Sequence, residues 1–307
     1  MDVGVIGVGM MGKNHARIYS ELKSVGSVSI FDLNATLAED LATQYGGTVV
    51  PTIAEMCRKV DAVSICVPTR FHYAVASEVL HEGGVAMLIE KPVCATVEES
   101  RKLINAIPED LTVGVGHIER FNPIIGEIRR IMDAPLYVEM KRHNPASGRI
   151  TDASIVEDLM IHDIDIMRHV LFNGGYSLHC GGTTDVCSAL FTYGKIPVSL
   201  SASRKSSKKI RSIYIEQEEM TIEGDFMTQE VSIYRKPEHY ASENERYVQE
   251  NIIEKVLVNK NEPLKRELDT FVDCVKRSKA FPVTPAEALA NLITCEEVAG
   301  CIAGRKV

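Results

Sequence analysis

What the chain lacks bounds its class before any motif is read. No apolar run in its 307 residues approaches the roughly 20 needed to cross a bilayer. No basic segment precedes the apolar start MDVGVIGVGMMG, so a signal peptide is not expected. An excess of basic charge is missing too: 34 Lys and Arg stand against 42 Asp and Glu, a net charge of -8 that argues against nucleic acid as a general partner. The eight cysteines (Cys57, Cys66, Cys94, Cys180, Cys187, Cys274, Cys295 and Cys301) contain no CxxC pair, and Cys66 and Cys94 sit in or beside apolar runs. They read as reduced, mostly buried thiols of a cytoplasmic protein, not as a disulfide framework or a zinc site. Internal repeats and low-complexity stretches are also absent. What remains is 45% hydrophobic and 25% charged, the composition of an ordinary globular protein, in a chain long enough for two domains.

From Val3 to about Gly116 the apolar strands DVGVIGV, SVSIFD, GTVV, DAVSICV, VAMLIE and LTVGVG alternate with helical segments such as KNHARIYSELK and ATVEESRKLINAI. Alternation of this kind, with near-continuous apolar strands, predicts a parallel sheet covered on both faces. After about Ile118 the pattern changes. A helical PIIGEIRRIMD, a strand LYVEMKRH, a loop rich in Pro, Ser and Gly, and a further helical stretch lead into DVCSALFTYG, PVSLSASR, IRSIYIEQ, EMTIEG and QEVSIYRK. These last five read as an antiparallel sheet, and two helices close the chain. The expected class is α/β: a doubly wound Rossmann domain over 1–118 and a second α/β domain with a mainly antiparallel sheet over 119–307.

Gly7-Val8-Gly9-Met10-Met11-Gly12 is a GxGxxG that follows a strand and opens a helix. Gly7 permits the tight turn, Gly9 lets the backbone approach a pyrophosphate beside Met10 and Met11, and Gly12 lets helix and strand pack closely. Asp32 ends the next strand, where a carboxylate accepts hydrogen bonds from ribose hydroxyls and repels a 2′-phosphate. NAD is therefore favoured, with NADP open if neighbouring residues compensate. CVPTRFH, with Pro68, Thr69 and His72, and IEKPV, with Glu90 and Lys91, each follow a parallel strand and so lie where open α/β sheets bind ligands. Alone, Lys91 would read as a solvated lysine; its place at the mouth of the sheet makes it a cofactor-side and catalytic candidate.

EDLMIHDIDIMRH, residues 157–169, raises a different question. At about 100° per residue Asp158, His162, Asp165 and His169 share one narrow arc of a mostly apolar helix. Such a helix is buried on most faces, and its ionisable stripe must point at a cavity, a polar partner or a ligand. A solvated surface helix is the plain alternative. A metal site is another, because His and carboxylate at i, i+4 have ligand spacing.

Taken together, GVIGVGMMG, the VPT and EKP segments, GHIERFNP and the D-x-x-x-H of Asp158 and His162 resemble the Gfo/Idh/MocA oxidoreductase family across essentially the whole chain. The resemblance implies a Rossmann domain followed by a domain with a large open sheet, whose exposed face makes a homodimer or homotetramer. It implies no metal. It carries Lys91, Asp158 and His162 over as the catalytic set, and adds Glu119, Arg120 and Asn122, of which Asn122 is the candidate substrate contact. The chemistry is consistent: oxidising a secondary alcohol needs a base for the hydroxyl proton, which His162 supplies near neutral pH. Lys91 then stabilises the same oxygen, and Asp158 orients the imidazole or the sugar hydroxyl. Asp165 and His169 become supporting polar groups.

Within the family, MGKNHARIYSEL, GHIERFNP, EGDFMTQEVSIYR and EPLKRELDTFVDCVK resemble the branch acting on nucleotide sugars, which implies the 3-hydroxyl of UDP-N-acetylglucosamine as the target. A polyol or free-sugar dehydrogenase of the same family is the alternative, and a non-catalytic dinucleotide sensor a further one. Arg204, Lys205, Lys208, Lys209 and Arg211 place five cations in a predicted hairpin that either attracts a diphosphate or is a solvated turn. Arg142, His143 and Asn144 are other polar contacts to consider.

Overall fold

The strands β1 (Asp2–Ile6), β2 (Ser27–Phe31), β3 (Thr48–Val49), β4 (Ala62–Ile65), β5 (Ala86–Glu90) and β6 (Val113–Gly116) pair in parallel in the order β3-β2-β1-β4-β5-β6. The protein is described by a computed structural model covering residues 1–145, 154–236, 240–243, 246–249 and 252–304. β4 and β5 are buried at every residue, as expected for strands covered on both faces. The helices α1 (Met10–Glu21), α2 (Ala35–Tyr45), α3 (Ile53–Cys57), α4 (His72–His81) and α5 (Val97–Ala106) connect them. Side chains start three of these: Asn34 accepts from Leu37 N–H, Thr52 from Glu55 N–H and Thr96 from Glu99 N–H. α1 has no side-chain cap. The strand order reverses between β1 and β4, which puts the crevice of this sheet beside the end of β1.

After α6 (Pro123–Ile131), the strand β7 (Tyr137–His143) enters an eight-stranded sheet completed by β8 (Ser177–Gly182), β9 (Val186–Tyr193), β10 (Ile196–Ser203), β11 (Ile210–Glu216), β12 (Met220–Asp225), β13 (Glu230–Arg235) and β16 (Ile252–Lys255). Between β13 and β16, β14 (Tyr240–Glu243) and β15 (Arg246–Gln249) form a separate ladder. All pairings in the large sheet are antiparallel except β10 with β7, so the sheet is mainly antiparallel. Burial alternates along β7 and β9: Val138, Met140, Cys187, Ala189 and Phe191 face a core, and Glu139, Lys141, Ser188 and Leu190 face out. The Pro-, Ser- and Gly-rich loop expected after β7 lies largely outside the described residues.

The core beneath that sheet is closed by α6 and by the helix over 155–171, which includes α7 (Ile161–Ile166). Ser154 and Glu157 start this helix as a reciprocal box: Ser154 N–H donates to Glu157 Oε2 (3.1 Å), and Glu157 N–H donates to Ser154 Oγ (3.2 Å). The helix is not uniformly α. Wider π turns over Val156–Met160 and Met167–Leu171 flank α7, the second ended by Phe172 N–H donating to Met167 C=O five residues back.

The chain ends in α8 (Pro263–Lys276) and α9 (Pro285–Ile302), and their partners differ from the expected 119–307 domain. One compact unit comprises Met1–Phe121 and Glu262–Ile293; the other comprises Asn122–Asn261 and Thr294–Val307. The reason is apolar: Leu264, Leu268, Phe271 and Val272 of α8 are buried in the core of the parallel sheet. Phe281 stacks on Phe121 at 5.5 Å between centroids and lies where a Cβ on Gly114 would fall. Contiguity in sequence concealed this return of the chain.

One cysteine expectation also fails. Cys180 on β8 and Cys301 in α9 are paired as a disulfide, with Cα atoms 6.0 Å apart and 121 residues between them in sequence, a pairing that local spacing cannot reveal. The other six cysteines are buried. No helix among the described residues is long and apolar enough to cross a membrane.

The Phe281 contact makes a paired prediction. Gly114→Ala alone lowers unfolding free energy by about 1–3 kcal/mol through overpacking. In a Phe281→Ala background, itself about 3–5 kcal/mol less stable, the same change is close to neutral because the methyl enters the vacated space. Urea unfolding of the four proteins measures both steps.

Candidate active site

The cofactor candidates and Lys91 fall in the first unit, and Asn122, Asp158 and His162 in the second. In the first, the glycines meet their separate demands. Gly7 has φ +92°, and a Cβ there would come 2.8 Å from Val67 N; a Cβ on Gly12 would collide with the Gly7 carbonyl oxygen. A Cβ on Gly9 would meet no atom within 4 Å, and Gly9 and Met10 are exposed. The N-terminus of α1 thus opens outward with no side chain on its first amides, a cradle that fits an anionic group such as a dinucleotide pyrophosphate.

Asp32 is fixed beside this cradle. Its Oδ2 accepts from Val8 N–H (2.7 Å) and its Oδ1 from Asn34 N–H (2.8 Å), so the carboxylate is oriented by the turn it helps to hold. Pro68 is exposed and Thr69 half-buried at the turn after β4.

Lys91 is half-buried just after β5 and lies beside a buried polar cluster. His15 of α1 is fully buried, and its Nε2 donates to Glu90 Oε1 at 2.9 Å. Lys91 N–H approaches Glu90 Oε2 at 3.3 Å. Burial alone would raise the Glu90 pKa, but the His15 hydrogen bond and the charges of His15, Lys91 and His72 hold it below the ordinary carboxylate value. Glu90 is therefore an ionised buried group next to Lys91 in the chain. The His72 ring, 1% exposed, has Nδ1 2.8 Å from Pro92 C=O and Nε2 2.9 Å from Val67 C=O. It clips the loops after β4 and β5 together, a different part from the cofactor contact expected of it.

In the second unit, most of the helix over 155–171 is buried, while Asp158, His162 and His169 stay half-buried. Of the predicted stripe, only Asp165 is fully buried, at 1% exposed. Two arginines of the sheet meet this helix. Arg142 Nε and Nη2 donate to Asp163 Oδ1 at 3.0 and 2.7 Å, with both side chains at most 2% exposed. Arg204 Nη2 donates to Asp158 Oδ2 at 3.4 Å. A guanidinium on Asp158 already supplies the positive charge that the metal reading assigned to a cation. Among the described residues, no three His, Cys, Asp or Glu side chains form a group that could hold a metal ion.

Several expectations change. Asn122 is 3% exposed; its Nδ2 donates to Phe226 C=O and its Oδ1 accepts from Ile124 N–H, so it caps α6. Asn followed by Pro123 at the first helical position is a cap signature that the sequence already displayed. Arg120 binds Glu287 at 3.0 Å, Glu119 is buried, and Arg142 is committed to Asp163. His143 meets Ser201 on the open face of the sheet, and Asn144 N–H donates to Ser203 C=O. Of the basic hairpin, Arg204 is buried, Lys205 pairs with Asp185 at 3.1 Å, and Lys208 and Lys209 are exposed.

Comparison with known proteins identifies the family. The GFO_IDH_MocA model, an oxidoreductase family with an NAD-binding Rossmann fold, matches residues 1–117. UDP-N-acetylglucosamine 3-dehydrogenase of Acidithiobacillus ferrooxidans is 34% identical over 245 residues, 77% of this chain and 77% of that enzyme. The chain belongs to the Gfo/Idh/MocA oxidoreductase family. The solved structure of UDP-N-acetylglucosamine 3-dehydrogenase GnnA from Acidithiobacillus ferrooxidans superposes on this family member with a TM-score of 0.86 at 27% identity, covering 99% of this chain and 98% of that one. Inositol 2-dehydrogenase of Rhizobium meliloti is 22% identical, with 99% of this chain and 97% of that enzyme aligned.

The His72 clip makes pH a probe of this family member's loops. Burial, opposed by the Pro92 and Val67 carbonyls, lowers its pKa below the ordinary 6.5. The unfolded chain therefore binds the proton more readily, and the His72 contribution is fully present above about pH 6.5 and lost as pH falls towards the folded value. His72→Gln should be about 1–3 kcal/mol less stable at pH 8. Its unfolding free energy should fall less steeply than that of the wild type between pH 6.5 and 5, as read by urea titration at each pH.

Proposed function

We propose that this protein oxidises a secondary hydroxyl of a nucleotide sugar with NAD, the 3-hydroxyl of UDP-N-acetylglucosamine being the best-supported target. The observation that carries the chemistry is the pair Asp158 and His162, half-buried on a helix that is otherwise mostly buried. The likeness to UDP-N-acetylglucosamine 3-dehydrogenase, 34% identity over 77% of the chain, carries the substrate.

The amides of Met10, Met11 and Gly12 and the Asp32 carboxylate would hold NAD, which would supply the acceptor for the hydride. Its preference over NADP rests on the Asp32 carboxylate, fixed by two backbone amides where a 2′-phosphate would need a cation; the next residue, Leu33, is 94% exposed and apolar. His162 takes the hydroxyl proton. Lys91 stabilises the oxygen as negative charge develops on it, and Asp158 orients the imidazole or the sugar. Self-association through the open sheet face belongs to the same reading, because alternation leaves Tyr137, Glu139, Lys141 and Tyr214 outside the core.

Absorbance of the reduced cofactor, followed with UDP-N-acetylglucosamine, inositol and free sugars against NAD and NADP, tests the proposal. Turnover is expected with UDP-N-acetylglucosamine and NAD, and His162→Asn and Lys91→Ala should each lower kcat by about 10²–10⁴-fold. Turnover with inositol alone would replace the nucleotide sugar with a polyol, as the similarity to inositol 2-dehydrogenase allows. NAD binding without turnover on any sugar would contradict an enzymatic role.

A further inference from the structure

Arg204 looks in sequence like one of five surface charges, yet it is 8% exposed while Lys205, Lys208 and Lys209 are exposed. Alternation explains the difference. Val198, Leu200 and Ala202 of β10 face the core, and Arg204 continues that phase at the end of the strand, whereas Lys205 turns outward to Asp185. The backbone there is held: Arg204 N–H donates to Asp185 C=O at 2.9 Å, and Ser203 Oγ accepts from Lys205 and Ser206 N–H at 3.1 Å each. Its guanidinium is thereby directed to Asp158 Oδ2.

The two arginine contacts to this helix differ in kind. Arg142 and Asp163 make two short bonds with both side chains at most 2% exposed, which is a packing strut. Arg204 and Asp158 make one longer bond, and the Asp158 side chain is 11% exposed, in the π turn just before His162. A carboxylate in a widened turn has more than one way to point, and a guanidinium on Oδ2 selects one of them.

We propose that Arg204 is the positioning residue of Asp158: it fixes the carboxylate in the orientation from which Asp158 acts on the imidazole or the sugar hydroxyl. It also balances a negative charge that an anionic nucleotide sugar would otherwise meet. The inference rests on the role given to Asp158 under the proposed function.

A double-mutant cycle tests it on wild type, Arg204→Gln, Asp158→Asn and the double variant, with NAD saturating and whichever sugar the wild type oxidises. Arg204→Gln should lower kcat/KM by about 10–100-fold, the scale for a mispositioned catalytic group, and Arg204→Lys should restore part of the loss. The double variant should lie within about threefold of Asp158→Asn alone, because Arg204 has nothing left to position. Lys195→Gln, at an exposed turn, serves as a control for simple loss of a surface positive charge and should change kcat/KM by less than about twofold. If Arg204→Gln costs the same factor in the Asp158→Asn background as in the wild type, Arg204 acts elsewhere and the proposal is wrong; an unchanged Arg204→Gln also refutes it. A wild type that oxidises no sugar overturns the functional reading instead. Coupling is then read from the NMR titration of the His162 ring in the same four proteins: a double variant matching Asp158→Asn supports the proposal, and additive shifts refute it.

Discussion

A carboxylate that is buried must be given a partner, and in the first unit that constraint organises the end of the parallel sheet. An unpaired charge in the interior costs several kcal/mol, more than a typical hydrogen bond contributes. Glu90, at the end of β5, is 8% exposed and takes its partner from α1, the helix that carries the glycine turn. That pairing requires close packing of α1 on the sheet, which the missing side chain of Gly12 permits. It also requires room around the carboxylate, since a Cβ on Gly116 would lie 3.1 Å from Glu90 Oε1. Lys91 then follows Glu90 directly, and the next carbonyl, Pro92, is met by His72. One ionised group thus links the glycine turn to Lys91, the lysine proposed to stabilise the sugar oxygen.

The second unit solves a similar problem with guanidinium groups. Its helix over 155–171 is apolar enough to be buried, but it also carries carboxylates that cannot be buried alone. Asp163 and Asp158 receive Arg142 and Arg204 from neighbouring strands, β10 pairing with β7 so that Ala202 lies beside Arg142. Asp163 is buried with its partner, whereas Asp158, His162 and His169 stay half-buried. The same contacts that hold the helix on the sheet therefore satisfy two of its carboxylates, Asp163 and Asp158.

Much of this was legible because it is local. The glycine turn, Asp32 at the end of β2, the strand–helix alternation and the apolar character of the 155–171 helix each lie within a few residues and follow from periodicity and turn chemistry. What stayed hidden depends on long-range approach: His15 and Glu90 are 75 residues apart, Arg204 and Asp158 are 46 apart, and Cys180 and Cys301 are 121 apart. The π turns on either side of α7 were invisible to a constant 100° projection, and so was the full burial of Asp165. Two signals were present and passed over: Asn122 before Pro123, and the alternation of β10 that turns Arg204 inward. The resemblance named the catalytic set, while the contacts that fix Glu90 and Asp158 emerged only from the fold.

The central claim is that the hydrogen leaving the sugar comes from carbon 3 and goes to NAD. UDP-N-acetylglucosamine deuterated at carbon 3, incubated with the protein and NAD, tests it by mass spectrometry of the reduced cofactor. Reduced cofactor one mass unit heavier than with unlabelled substrate is the predicted result. Unlabelled NADH, or no reduction at all, would contradict the account.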